Sequence, residues 1–151
     1  MESLGSAILE DGVTLSVYLD SYKDLITALP VEVVERWLHM TGVAGARRLA
    51  RHLPIPYIDA DSKAVVPALT YSTLAWFGGD EKVFNEFLAG THFFGGYTDE
   101  LRAQYERRLK VARKLLAHPL TPMRRWAAVE EEYAGRLMGE LRQQEEEQYV
   151  L

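Results

Sequence analysis

The sequence predicts an all-α fold, a bundle of six or seven helices, on three observations. Apolar residues recur at steps of three and four along most of the chain. Helix breakers fall where those stripes end, at Pro30, Gly42, Pro54, Pro56, Pro67, Gly78-Gly79, Gly95-Gly96, Pro119 and Pro122. Apolar residues make up 48% of 151 positions and cysteine is absent, which allows a core without disulfides in a single domain over residues 1–151.

Taken in order, residues 1–12 are either disordered or a short hairpin arm, because Asp11-Gly12 supplies the positive φ angles of a two-residue turn. Leu15, Leu19, Tyr22, Ile26 and Leu29 step by four and three, so a first helix is expected over residues 14–29. Pro30 opens a second over 31–40, burying Val34, Trp37 and Leu38, with Gly42 as its stop. A third, over 43–53, carries Arg47, Arg48 and Arg51. Residues 57–66 form the longest non-helical stretch; Ile58 and Val65-Val66 flank Asp59-Ala60-Asp61-Ser62-Lys63 as a small β-hairpin. Asp59 and Asp61 open like a calcium loop, but Lys63, Ala64 and Thr70 stand where that loop needs an oxygen ligand, a glycine and a glutamate. Residues 68–77 read as a helix ended by Gly78-Gly79, and Asp80 caps another over 81–89, with Val83, Phe84, Phe87 and Leu88 as its apolar set.

The last third carries the longest pattern. Thr98 caps a helix whose apolar stripe is Leu101, Tyr105, Leu109, Ala112 and Leu116, with Arg102, Glu106, Arg107, Lys110, Arg113 and Lys114 mostly on the other face. His118-Pro119 stops it and Thr121-Pro122 starts the next, whose stripe is Met123, Trp126, Val129, Tyr133, Leu137 and Leu141. So short a connection makes the two helices antiparallel. Arg124 and Arg125 lie in the first turn, against the helix dipole, and a carboxylate from a neighbouring helix is the expected partner. Glu145, Glu146 and Glu147 oppose the dipole at the other end, as part of a frayed tail over 145–151.

Several chemistries lack their residues. Glu35 and His39, four apart on one helix face, have no third ligand, and His39, His52, His92 and His118 show no ligand spacing, so no metal site is expected. There is no phosphate loop and no serine nucleophile elbow. Of Glu130, Glu131 and Glu132, at most one can face any cleft, since consecutive helix positions diverge by about 100°. No catalytic residue and no cofactor are therefore expected. The net charge of −5 disfavours a general grip on nucleic acid, although Arg107, Arg108, Lys110, Arg113, Lys114, Arg124 and Arg125 form a basic cluster. The start of the chain lacks the pattern of a signal peptide and no apolar run nears the roughly 20 residues of a membrane span, so a cytoplasmic protein is expected. In Gly90-Thr91-His92-Phe93-Phe94-Gly95-Gly96-Tyr97 the aromatics have two readings: they fold onto the core, or they stay exposed as a partner site.

Leu115-Leu116-Ala117-His118-Pro119, followed by Arg124-Arg125-Trp126-Ala127, resembles the turn and second helix of HEAT-type α-solenoid repeats. Val66-Pro67-Ala68-Leu69-Thr70, the segment from Phe77 to Phe84, and Phe87-Leu88-Ala89-Gly90 look similar to the terminal region of large bacterial helical-repeat proteins. There is no clean repeat period, and the final helix is longer than such a repeat needs. The resemblance implies an irregular HEAT-like bundle, with an arginine of the second helix bridging to the next repeat. It also implies a scaffold or protein-binding subunit, of a kind met in bacterial conflict or defence, rather than an enzyme. His92, Phe93, Phe94, Tyr97, Arg124 and Arg125 are then the expected contact residues. The alternative is a nucleic-acid-binding domain using the Arg107 to Arg125 face.

Overall fold

The structure, a computed structural model, describes residues 26, 28–91 and 98–149. The arm over 1–12, the first helix apart from Ile26, Ala28 and Leu29, and residues 92–97 and 150–151 lie outside that description. Among the described residues the chain is mostly helical, with five α-helices and one two-stranded antiparallel sheet. The order is α1 (Val31–Leu49), a 3-10 turn (Ala50–His52), β1 (Tyr57–Ile58), β2 (Ala64–Val65), α2 (Ala68–Phe77), α3 (Glu81–Thr91), α4 (Thr98–Leu115) and α5 (Thr121–Tyr149). These elements fall into two compact units, one holding α1 to α3 and the other the hairpin with α4 and α5.

In the first unit, the two helices expected over 31–40 and 43–53 run together as α1 and the 3-10 turn, with a kink between them at Gly42. Gly42, at φ 64° and ψ −146°, breaks its helical dihedrals, so the stop read from the sequence survives as an interruption. Only a residue without Cβ adopts that conformation cheaply. Val34, Trp37, Leu38, Ala46 and Leu49 of α1 are buried together with Leu69 and Leu74 of α2 and Val83, Phe84 and Phe87 of α3. Asp80 caps α3, its Oδ1 accepting the Val83 N–H at 3.0 Å. The Arg47 guanidinium grips the same carboxylate from α1 with two hydrogen bonds, of 3.0 and 2.7 Å. That guanidinium, then the Val83 N–H, hold the Asp80 carboxyl down to about 2, and Arg47 is raised in return. A Cβ on Gly90 would lie 2.2 Å from the Arg51 carbonyl oxygen, so α3 reaches the 3-10 turn this closely only with glycine there.

In the second unit, β1 and β2 pair Tyr57 with Val65 and Ile58 with Ala64. Asp59 makes the turn: its Oδ1 accepts the N–H groups of Asp61 and Lys63, and its carbonyl accepts the Ser62 N–H. Ser62 takes the left-handed position at φ 59° that closes a three-residue hairpin loop. The Lys114 ammonium of α4 donates to the Ser62 carbonyl and ties the hairpin to the helix.

The helices α4 and α5 run antiparallel along a seam with alternating steps of four and three. On α4 it is Leu101, Tyr105, Arg108, Ala112 and Leu115; on α5 it is Met123, Ala127, Glu130, Ala134, Leu137 and Leu141. On α4 this corrects the expected stripe, whereas on α5 the expected Met123 and Trp126 are both buried. Leu116 is exposed and Leu109 half-buried, while Arg108 takes the seam position between Tyr105 and Ala112. Across from it Glu130 is completely buried, and the Arg108 guanidinium, 15% exposed, forms an ion pair with its carboxylate. Burial pulls Arg108 below its usual range and the Glu130 charge opposes that pull. Helix α5 continues through Glu145, Glu146 and Glu147 to Tyr149.

Candidate functional site

Of the expected contact residues, His92, Phe93, Phe94 and Tyr97 lie outside the described residues, and Arg124 and Arg125 stand exposed on the first turn of α5. Arg124 does not meet a carboxylate. Its guanidinium donates to the carbonyls of His118 and Pro119, at 2.8 and 3.0 Å, and to Thr121 Oγ1 at 2.9 Å. The cation thereby sits on carbonyls just beyond the C-terminal end of α4, where a positive charge is favoured, which offsets its place at the positive end of α5. His118 completes the turn, its Nδ1 accepting the Leu120 N–H at 3.1 Å. Burial first, and Arg124 second, lower the His118 pKa, which keeps that nitrogen an acceptor.

The basic clusters are largely consumed inside their own units. Arg47 and Arg51 pair with Asp80 and Glu86. Arg102, Arg108 and Arg113 pair with Glu145, Glu130 and Glu131. Arg107 and Lys110 stay exposed on α4. A phosphate backbone would therefore have to compete with existing partners for most of this charge.

The first unit presents a different surface that sequence reasoning missed. Glu35 and His39 on α1 face Ser72 and Trp76 on α2, four residues apart on each helix. Ser72 Oγ donates to the Glu35 carboxylate at 2.9 Å, and the His39 ring lies 4.3 Å from that of Trp76, tilted by 39°. Glu35 is thus a structural acceptor, and among the described residues no three or more His, Cys, Asp or Glu side chains gather as metal ligands. Trp76 remains 42% exposed and Met40 on α1 is 76% exposed. The signal available in the sequence was Trp76 directly before Phe77-Gly78-Gly79, read only as the end of a core helix. No helix among the described residues is long and apolar enough to cross a membrane.

No protein-family model, no curated protein and no solved structure matches the chain.

Proposed function

We propose that the protein is a non-catalytic interaction module, a subunit that binds a protein partner in a larger assembly. The observation that carries this reading is Trp76, a half-exposed indole with its ring against that of His39. Water gains nothing from such a side chain, whereas a partner gains a rigid apolar anchor at little entropic cost, and tryptophan is enriched at the centres of interfaces. His92, Phe93, Phe94 and Tyr97 belong to the same proposal as further contacts, as does Arg125. The antiparallel α4–α5 pair broken at Pro119 supports an irregular HEAT-like bundle of six or seven helices; against a repeat, the Arg124 hydrogen bonds stay within their own turn.

The test is affinity capture of the tagged chain from its host, with cross-linking, for wild type and Trp76→Ala. Loss of a stoichiometric partner by a variant with unchanged circular dichroism and melting supports the reading. An unchanged partner removes Trp76 from it. Phe93→Ser with Phe94→Ser extends the test: lost folding makes those residues core, and lost binding alone makes them contacts.

A further inference from the structure

The solvent side of α5 carries an arrangement that neither its packing on α4 nor the Trp76 surface uses. Opposite the seam, Arg125, Ala128, Glu132, Gly135, Gly139, Arg142, Glu146 and Tyr149 form a stripe at alternating steps of three and four, and every one is exposed. The helix has no acidic residue in its first turn and no basic residue in its last, so both ends oppose its own dipole. Glu132 and Arg142 make no ion pair with another described residue. Their charges are opposite, and the point midway between them coincides with the midpoint of Gly135 and Gly139.

We propose that this face is an interface with a second copy of the chain, the two α5 helices pairing antiparallel about a two-fold axis at that midpoint. The symmetry places Glu132 against Arg142 of the other copy, twice, and each Gly135 against a Gly139. Arg125 comes to Tyr149 beside Glu146, at the negative end of the opposite helix, and Glu146 comes to Ala128. An arginine that opposes the dipole in one copy thus favours it in two. Nothing lies within 4 Å of a Cβ built on Gly135 or Gly139, so the backbones have clearance to approach. The self-complementarity of the charges selects a second copy over another partner, and the surface is independent of Trp76.

The test is sedimentation velocity of the full chain from about 1 µM to about 1 mM at low and high salt, with Glu132→Arg, Arg142→Glu and an equimolar mixture of the two variants. Wild type is expected to dimerise, more weakly as salt rises. Each variant sets like charges against each other twice and should lose about tenfold or more in self-association. The mixture restores both opposite pairs and should regain the dimer as a heterodimer. A wild type that stays monomeric throughout overturns the proposal, and so does a dimer indifferent to either variant or a mixture that fails to pair. Circular dichroism of each variant separates lost pairing from lost folding. An intact dimer alongside a wild-type chain that captures no partner would sink the proposed function and leave this inference standing.

Discussion

Removing Glu130 should be among the most damaging single changes among the described residues of α4 and α5. In Glu130→Ala the Arg108 guanidinium, 15% exposed, loses the buried carboxylate it pairs with. Arginine cannot escape by losing its proton at any pH the protein survives. Breaking a buried pair from one side costs about 3–5 kcal/mol. At roughly 2–4 °C per kcal/mol for a chain of this size, the melting temperature should fall by roughly 6–20 °C. The reverse change, Arg108→Met, takes the ion-pair partner from the fully buried carboxylate and should cost a similar amount, about 3–5 kcal/mol. Replacing both, as Arg108→Met with Glu130→Leu, removes two desolvated charges and should be neutral or stabilising by up to about 4 kcal/mol. The assay is urea unfolding of all four proteins at pH 7 as a double-mutant cycle. A cost below about 1 kcal/mol for Glu130→Ala, or a double variant no better than the worse single one, would refute the assignment of this pair as buried and mutually dependent.

Other changes follow from the local geometry. Asp80, held at about 2, contributes stability that is complete above the ordinary carboxylate range near pH 4 and is lost as pH falls toward 2. Thermal melts of Asp80→Asn should therefore fall below wild type at pH 6 and converge with it near pH 2. His118 is shifted the other way for a base: its folded pKa is depressed, so its contribution is full above about 6.5 and is lost as pH falls below that. His118→Ala should flatten the loss of stability measured between pH 7 and pH 5. Gly90→Ala meets the Arg51 carbonyl and should destabilise by about 1–3 kcal/mol in denaturant titration. Gly139→Ala, at an open helical position, should stabilise the monomer by about 0.5–1 kcal/mol.

Much of the framework was legible from local chemistry. Pro67 and Gly78 bound α2, Asp80 opens α3, and Asp59 turns the hairpin because these residues act on their immediate backbone, so neighbouring sequence suffices. The phase of the α4–α5 seam was not legible. Reading Leu109 and Leu116 as its members follows hydrophobicity, whereas the actual positions are Arg108 and Leu115, one step back. A charged residue reads as an outer position unless its partner is known, and Glu130 lies 22 residues away on another helix, within a run of three glutamates that looks solvated. The restriction that only one of those glutamates could face inward was sound; which one it is depends on packing. Arg124 shows a related gap: its misfit with the α5 dipole was visible, but the carbonyls that receive it exist as acceptors only once the turn has formed. The Trp76 surface depends on how α1 lies beside α2, which no single-helix pattern contains.

The turn between α4 and α5 also limits how copies of this chain can combine. One route to exchange of α5 between molecules straightens the hinge until the two helices become one continuous rod. In that rod Pro119 and Pro122 would occupy interior positions, each without an N–H to donate and each colliding with the carbonyl four residues earlier, those of Leu115 and His118. At about 3 kcal/mol apiece the two prolines charge the straightened form about 6 kcal/mol before any intermolecular contact is made. Arg124 and His118 hold the closed form in place from the other side. The prolines therefore keep each α5 folded back on its own α4, and exchange through a continuous α4–α5 rod is a route the sequence disfavours.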